Sequence, residues 1–244
     1  MVSERNRHGQ QVGEVVPGWE PRPLPQPVTL AGRYVRLEPV ALEHAAPLHA
    51  ALCGPEDAAL WTYRATDPPA DVAGMVDLLR PLVEHPQART SVIVPTEGPL
   101  AGEPAGLATY WRVEPAHGVV EISSVLFARH LQRTRAATEA MSLMIGAAFE
   151  EWGYRRVEWK CDALNEPSRR AAARLGFTYE GRFRRHMVTK GRTRDTDWFA
   201  VVDADWPAAR AEHERWLDPA NFDEAGRQRT RLAVTPRPGP PDAR

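Results

Sequence analysis

The polar turn at residues 131–138 has the residue types and the position of an anion site. It follows an apolar, β-branched run, Val119–Phe127, that is typical of a strand, and it precedes a helical repeat of apolar residues. The first backbone N–H groups of a helix have no partner within it, and the helix dipole places partial positive charge at that end. Phosphate groups bind at such ends. The sequence therefore predicts a phosphate-binding turn between a strand and a helix.

A second candidate site begins at Asn165. Asn165 is a good N-cap for a helix, and Pro167 falls in its first turn, where a missing backbone N–H is harmless. Six basic residues then lie on a predicted hairpin: Arg182, Arg184, Arg185, Lys190, Arg192 and Arg194. They either recognise an acidic group or nucleic acid, or form a solvated face with Glu180 and Asp195 as partners. The solvated face is the favoured interpretation.

Composition and charge exclude several classes of protein. The 244 residues are 43% hydrophobic and 26% charged, as in a globular protein with one domain of ordinary size. The formal net charge of −1 gives no overall attraction to nucleic acid or to an anionic membrane. No apolar run approaches the ~20 residues of a membrane helix, and no signal-peptide core is present, so we expect a cytoplasmic protein. Cys53 and Cys161 predict neither a disulfide framework nor a zinc motif.

The elements that position these residues form one folded unit. Their order is β, α, α, β, β, β, α, β, α, β, β, with a last helix at residues 206–217. This order predicts an α/β fold with a mixed sheet, mostly antiparallel in its first half and with parallel crossovers in its second. Prolines crowd both ends, so we expect flexible tails at residues 1–29 and 218–244 around a domain at 30–217.

Several spaced motifs resemble the GCN5-related N-acetyltransferase (GNAT) superfamily, and within it the branch of the ribosomal-protein N-terminal acetyltransferases. Motifs that agree in order are a stronger signal than any one alone. They are the segments 139–140, 155–158, 162–165, 168–171, 175–177, 180–181 and 194–196. The resemblance implies a single GNAT-like domain with a mixed central sheet of about seven strands, about four helices and a C-terminal helix.

The resemblance also implies acetyl-coenzyme A (acetyl-CoA) as co-substrate, and no metal. In this superfamily the turn after the fourth strand binds the pyrophosphate through backbone N–H groups, and the pantetheine arm pairs with the backbone of that splayed strand. In this chain the arm would pair with Val125, Leu126 and Phe127. It would also contact Asn165, which caps its helix at the same time. The pyrophosphate would meet Gln132, Arg133, Thr134, Arg135, Ala136, Ala137 and Thr138.

Arg135 departs from the family's turn pattern. That pattern is Gln or Arg, two residues, Gly, one residue, then Gly or Ala. Gln132 and Ala137 match its ends, but Arg135 stands at the Gly position. Glycine permits close backbone approach and unusual dihedral angles. With Arg135 the turn must either use ordinary dihedral angles or add the guanidinium to the phosphates.

Glu121 is the candidate catalytic base. Acetyl transfer to an amine needs a base for the amine, backbone donors for the oxyanion and an acid for the leaving thiolate. The histone acetyltransferases of the superfamily carry their general-base Glu at the matching position of the fourth strand. A Glu beside an apolar strand suits this role if it is partly buried, and a solvated Glu at a strand edge is the alternative. His186 is the reserve base, next to Met187, where the ribosomal-protein branch has its catalytic Glu.

Ser168 is the candidate acid, because the ribosomal-protein branch uses a Ser at the matching position. The alternative is a Ser that only caps backbone groups of its helix. Trp61 and Tyr63 follow the first helix, where relatives line the acceptor pocket, and packing in the core is an equal alternative.

These observations favour an enzyme that moves an acetyl group from acetyl-CoA to a primary amine, on a protein N-terminus or a small molecule, by direct transfer. The alternative is a non-catalytic acyl-CoA-binding module of the same fold, because Arg135 and Met187 depart from the family pattern. A membrane partner is not expected, nucleic acid is disfavoured by the near-neutral charge, and a homodimer stays open. The identity of the acceptor lies beyond the sequence.

Overall fold

Ten strands and five α-helices make up residues 3–235, the part of the chain that this computed structural model describes. The strands are β1 (Ser3–Arg5), β2 (Gln11–Gly13), β3 (Leu30–Ala31), β4 (Val35–Pro39), β5 (Arg89–Pro95), β6 (Gly106–Glu114), β7 (Val119–Phe127), β8 (Arg156–Asp162), β9 (Thr178–Thr189) and β10 (Arg192–Val202). The helices are α1 (Ala45–Leu52), α2 (Val72–Glu84), α3 (Arg135–Gly146), α4 (Glu166–Arg174) and α5 (Trp206–Leu217). A π-helical turn, Ala147–Glu151, continues α3.

Eight of the strands form one mixed sheet in the order β3-β4-β5-β6-β7-β8-β10-β9. All neighbouring pairs are antiparallel except β7 and β8, which run parallel because α3 crosses over between them. The predicted α/β fold with a mixed sheet is confirmed, with eight strands where about seven were expected. No helix of the described residues is long and apolar enough to cross a membrane.

The sequence pattern of residues 28–38 predicts a first strand, which the structure divides into β3 and β4 by a tight turn. Glu139 of α3 reaches this turn and accepts hydrogen bonds from the backbone N–H groups of Arg33 (3.0 Å) and Tyr34 (2.6 Å). Gly32 leaves room for the carboxylate, since a Cβ there would lie 2.4 Å from it. The backbone donors satisfy a buried carboxylate and join the first hairpin to the helix.

Helices cover both faces of the sheet. Tyr110 of β6 donates from its hydroxyl to the carbonyl of Met144 on α3 (2.7 Å), whereas the next residue, Trp111, contacts the ring of His85 at the end of α2. Because successive strand residues point to opposite faces, α1 and α2 lie on one face, here called the α1–α2 face. α3, with α5 packed on it and α4 beside it, lies on the other, here called the α3–α5 face.

The proline-rich N-terminal segment contacts the domain at several points. Trp19 donates from its indole to the carbonyl of Ala116 (3.0 Å), and the carbonyl of Pro23 accepts from the hydroxyl of Tyr154 (3.0 Å). Further back, β1 and β2 form a separate hairpin. The carbonyl groups of an extended proline segment have no strand partner, so they are available to side-chain donors of the domain.

The first part of the predicted C-terminal tail also has fixed contacts. Phe222 and Leu232 are buried against Trp216 of α5. Asn221 donates to the carbonyl of Trp216 (2.9 Å) and accepts from the backbone N–H of Thr230 (2.9 Å). The segment after α5 therefore contacts that helix, residues 236–244 lie outside the described part of the chain, and the domain bounds 30–217 with their two tails stay a prediction.

His213 of α5 joins three elements on the α3–α5 face. Its ring is fully buried, with Nδ1 3.0 Å from the hydroxyl of Ser142 on α3 and Nε2 3.2 Å from the carbonyl of Leu175 after α4. A carbonyl oxygen can only accept, so Nε2 carries the proton and Nδ1 accepts from Ser142. Burial lowers the pKa of His213 to about 4.

Acid is expected to destabilise the fold through His213. Between pH 6.5 and about 4 the unfolded chain binds a proton at this ring and the folded chain does not, so the free energy of unfolding falls as the pH drops through that window. The shift corresponds to about 3 kcal/mol. Urea unfolding at several pH values measures it, with His213→Gln as the non-titrating comparison. Equal pH slopes in the two proteins would contradict the assignment.

Candidate functional site

β7 and β8 pair only at their beginnings and then separate. Their parallel register runs from Val119 with Arg156 to Glu121 with Glu158, and no strand of residues 3–235 pairs with the rest of β7 on that side. A bulge at Ser124, with φ of 54°, adds one residue to β7 and turns it. The predicted splay of this strand is present. Along residues 125–127 the side of the backbone facing β8 can therefore pair with an extended ligand.

The polar turn after β7 leads into the N-terminus of α3, as predicted. The turn is shorter than expected, because Arg135 already begins the helix and Thr134 is its N-cap, accepting from the backbone N–H of Ala137 (3.1 Å). Gln132 donates to the carbonyl of Phe127 (3.1 Å) and braces the turn. Three backbone N–H groups have no acceptor among the described residues, and they belong to Arg133, Arg135 and Ala136. This helix end therefore keeps donors for an anion.

Arg135 itself has ordinary helical dihedral angles, and the left-handed conformation falls on Arg133, with φ of 62°. The Arg135 guanidinium forms an ion pair with Glu97 (Nη2 to Oε2, 2.7 Å), and this hydrogen bonding raises the pKa of Arg135. Its guanidinium carbon lies 4.4 Å from the ring centroid of Tyr34 and 5.1 Å from that of Phe222. The residue at the family's Gly position is thus engaged with protein side chains.

Glu121 lies on the α1–α2 face in a buried ion cluster. Its Oε2 is 3.0 Å from Nζ of Lys160 and 3.6 Å from Nε of Arg112. Glu121 is 5% exposed on an interior strand, so it is not a solvated residue at a sheet edge. Oε2 is the oxygen closest to both cations, and neither carboxylate oxygen accepts a hydrogen bond from the described residues. One carboxylate oxygen is therefore held by cations while the other stays available for a proton.

Lys160 is the centre of this ion cluster, and sequence analysis missed it. Besides Glu121 it contacts Oε2 of Glu158 (3.0 Å), and its ammonium lies 3.7 Å from the ring centroid of Trp198. Burial would raise the pKa of Glu158, but hydrogen bonds from Arg156 and Lys160 outweigh it and lower that pKa. The only signal in the sequence was the alternation of β8, which places Lys160 on the polar side of the strand.

Ser168 lies on the α3–α5 face, in the first turn of α4. Its backbone N–H donates to Oδ1 of Asn165 (3.2 Å), which confirms Asn165 as the N-cap. The indole of Trp159 donates to its hydroxyl oxygen (3.0 Å). An indole can only donate, so Ser168 keeps its own proton for another acceptor. Burial raises the pKa of the Cys161 thiol to about 11, although a hydrogen bond with Ser168 acts to lower that pKa.

Glu121 and Ser168 lie on opposite faces of the sheet. Glu121 is paired with Glu158 and shares its face, whereas Trp159, the next residue of β8, points to the other face and holds Ser168. The gap that opens between β7 and β8 lies between these two faces. A group placed in that gap has a carboxylate on one side and a hydroxyl on the other.

His186 and Tyr63 border the α1–α2 face, and Trp61 does not. His186 sits in a bulge of β9, with Nδ1 3.0 Å from the hydroxyl of Thr196 and its ring 6.2 Å from that of Trp198, between centroids. The hydroxyl of Tyr63 donates to the carbonyl of Leu164 (2.9 Å) before α4. Trp61 is buried and donates to a backbone carbonyl at the end of α1, so it packs in the core.

The basic run on β9 and β10 has one of its two expected partners, because Asp195 accepts a hydrogen bond from the backbone N–H of Arg185 (2.7 Å). Glu180 pairs with Arg156 of β8, outside the run, whereas Arg182 forms two hydrogen bonds with the fully buried Asp197 (2.7 and 3.0 Å). Lys190 pairs with Asp67 (2.7 Å). The run is thus tied in part to the interior and to the loop after α1. Within residues 3–235, no group of three or more His, Cys, Asp or Glu side chains is placed to hold a metal ion.

Comparisons with known proteins agree with this geometry. Residues 35–178 match the family described as "Acetyltransferase (GNAT) domain". A GCN5-related N-acetyltransferase from Brucella melitensis is 41% identical, with a TM-score of 0.86 over 89% of this chain and 97% of that one. A probable GNAT-family acetyltransferase from Chromobacterium violaceum ATCC 12472 is 34% identical, with a TM-score of 0.74 over 81% of this chain and 97% of that one.

A more distant structure shares the fold alone. It is the microcin C7 self-immunity acetyltransferase MccE, solved in complex with acetyl-CoA and AMP. It is 19% identical, with a TM-score of 0.61 over 70% of this chain and 93% of that one. A search of curated proteins found no significant match.

Proposed function

The chain belongs to the GNAT family of acetyltransferases, and we propose that it moves an acetyl group from acetyl-CoA to a primary amine by direct transfer. The observation that carries this proposal is the gap between β7 and β8. It runs from a helix end with unpaired N–H groups to a place with Glu121 on one face and Ser168 on the other. Such an arrangement holds both substrates and both proton carriers in one complex.

The described residues fit acetyl-CoA along this path. The unpaired N–H groups at the start of α3 suit the pyrophosphate. The side of residues 125–127 that faces β8 has no strand partner and suits the amide-rich pantetheine arm, except for the Phe127 carbonyl, which accepts from Gln132. Asn165 uses only its Oδ1 to cap the helix, so its side-chain amide N–H groups are available to the pantetheine arm. A protein of the same fold, MccE, was solved with acetyl-CoA.

The proposed transfer uses one proton carrier on each face. The amine approaches from the α1–α2 face and Oε1 of Glu121 takes its proton, while Lys160 and Arg112 hold Oε2. The amine nitrogen bonds to the thioester carbonyl carbon, and backbone N–H groups of β7 stabilise the oxyanion. The C–S bond then breaks, and Ser168 gives its proton to the thiolate. Solvent returns a proton to Ser168 and removes one from Glu121.

An acceptor screen tests this function. The protein is mixed with acetyl-CoA and, in turn, a polyamine, an aminoglycoside, free amino acids and peptides with free N-termini, and thiol release is recorded. Release that depends on the amine, with one acetyl group gained by the amine in mass spectra, is the expected result. Thiol release at the same rate with and without every amine would contradict it. The non-catalytic module of the same fold is not favoured.

Arg135→Gln is expected to leave the affinity for acetyl-CoA unchanged and to lower stability. The variant loses the ion pair with Glu97 and the contacts with the Tyr34 and Phe222 rings, a loss of about 1–2 kcal/mol. Calorimetric titration and thermal unfolding measure the two effects separately. A tenfold weaker affinity without a change in stability would instead place this guanidinium on the phosphates.

A further inference from the structure

Arg174, the last residue of α4, is a fixed cation without an acidic partner. Its Nη1 donates to the hydroxyl of Thr138 (3.0 Å), and its guanidinium carbon lies 4.6 Å from the ring centroid of Trp216. No carboxylate of residues 3–235 lies within ion-pair distance of it. A guanidinium has five N–H donors, so four remain for another acceptor. A cation held this way by neutral groups suits an anionic ligand.

The head of Arg174 lies at the first turn of α3. Thr138, which accepts its hydrogen bond, itself donates to the backbone carbonyl of the N-cap Thr134 (3.2 Å). That N-cap begins the helix end with the unpaired N–H groups. The turn after β7 and Arg174 thus form two neighbouring positive features, one from backbone donors and one from a side chain.

Two of the other three arginines near this region are neutralised by carboxylates. Arg135 pairs with Glu97, and Arg170, four residues before Arg174 on α4, pairs with Glu166 (3.1 Å). Arg133 of the turn has no carboxylate partner among the described residues, but it is exposed and no side chain holds its head. Arg174 alone of these four combines free donors with a fixed position.

We propose that Arg174 binds the 3′-phosphate of the adenosine moiety of CoA while the start of α3 binds the pyrophosphate. This inference rests on the proposed function, since it concerns the same co-substrate. CoA carries its phosphates in two separate groups, and one helix end accommodates one of them. A guanidinium matches the geometry of the second, because it forms two parallel hydrogen bonds with phosphate oxygens. Arg174 would then distinguish CoA from its 3′-dephospho form.

Calorimetric titration with CoA and with 3′-dephospho-CoA tests this assignment. The wild type is expected to bind CoA about tenfold more tightly, the value of one charge-assisted contact. Arg174→Gln should remove this preference by weakening CoA binding alone. Arg174→Lys should keep part of it, since an ammonium still attracts phosphate as a point charge. Arg170→Gln, on the same helix and exposed, is the matched control and should keep the full preference.

Each of the following outcomes would overturn the assignment of Arg174 to the 3′-phosphate. Equal weakening of both ligands by Arg174→Gln would place this residue on the pyrophosphate or in the packing of α3 and α4. Loss of the preference in Arg133→Gln but not in Arg174→Gln would assign the 3′-phosphate to the turn. Equal affinity of the wild type for both ligands would show that the 3′-phosphate is not bound. A wild type that binds neither ligand would refute the proposed function itself.

Discussion

Glu121→Gln is expected to lower kcat/KM by about 10²–10⁴-fold, the contribution of a general base, without changing the affinity for acetyl-CoA. Gln has the shape of Glu, but its amide cannot take the proton of the amine. The free carboxylate oxygen of Glu121 faces the side of the sheet opposite to Ser168, so the loss falls on the acceptor side of the reaction. Steady-state kinetics with an acceptor from the screen, combined with calorimetry, measures both quantities.

Glu158→Gln is the matched control for that experiment. Glu158 lies beside Glu121 on the neighbouring strand, on the same face, and contacts the same Lys160. The control removes the same charge from the same cluster without touching the proposed base, so kcat/KM should stay near the wild-type value. An equal loss in both variants would show that the cluster matters as a whole. Wild-type activity in Glu121→Gln would exclude Glu121 and point to His186.

Lys160→Met is expected to lower the free energy of unfolding by about 3–5 kcal/mol, the cost of removing one partner from a buried ion pair. Without the ammonium, Glu121 and Glu158 lie side by side on β7 and β8 with no cation shared between them. The cation–π contact with the Trp198 ring is also lost. For a chain of this size the loss corresponds to a fall in Tm of about 10 °C. Urea and thermal unfolding measure it.

The only other lysine of the chain, Lys190, provides the control. Its ion pair is with Asp67, whose side chain is 83% exposed, so Lys190→Met should cost no more than about 1 kcal/mol. Adding Glu121→Gln and Glu158→Gln to Lys160→Met should restore part of the lost stability, because the two carboxylates that lost the ammonium are then replaced by neutral amides. Equal losses in the two lysine variants would contradict the buried cluster.

The sequence predicted the elements of the site because their signals are local. The β-branched run of β7, the helical repeat of α3 and the N-cap Asn165 each depend on residues within a few positions of one another. The resemblance then predicted that this strand splays from its neighbour, and in the structure the separation begins after Glu121. The structure has eight strands in the sheet because a turn at Gly32 divides the first expected strand, and that turn contacts the distant carboxylate of Glu139.

Contacts between side chains and segments that are distant in sequence could not be predicted. Arg135 contacts residues from three separate parts of the chain. The residues near it in sequence do not indicate that Glu97 or Phe222 is its partner. Alternation along β8 put Lys160 on a polar side, but periodicity does not say whether that side is solvated or buried under Trp198. The contacts of the proline-rich N-terminal segment could not be predicted for the same reason, because Ala116 and Tyr154 lie far away in sequence.

Calorimetric titration of acetyl-CoA into the wild-type protein tests the central claim most directly. The unpaired helix end and the open side of β7 predict one molecule bound per chain, with a Kd of about micromolar order. The same titration with Glu121→Gln should give the same Kd, since that residue is assigned to the acceptor side. No heat of binding at millimolar ligand with a folded protein would contradict the account, because the gap between β7 and β8 would then not be an acetyl-CoA site.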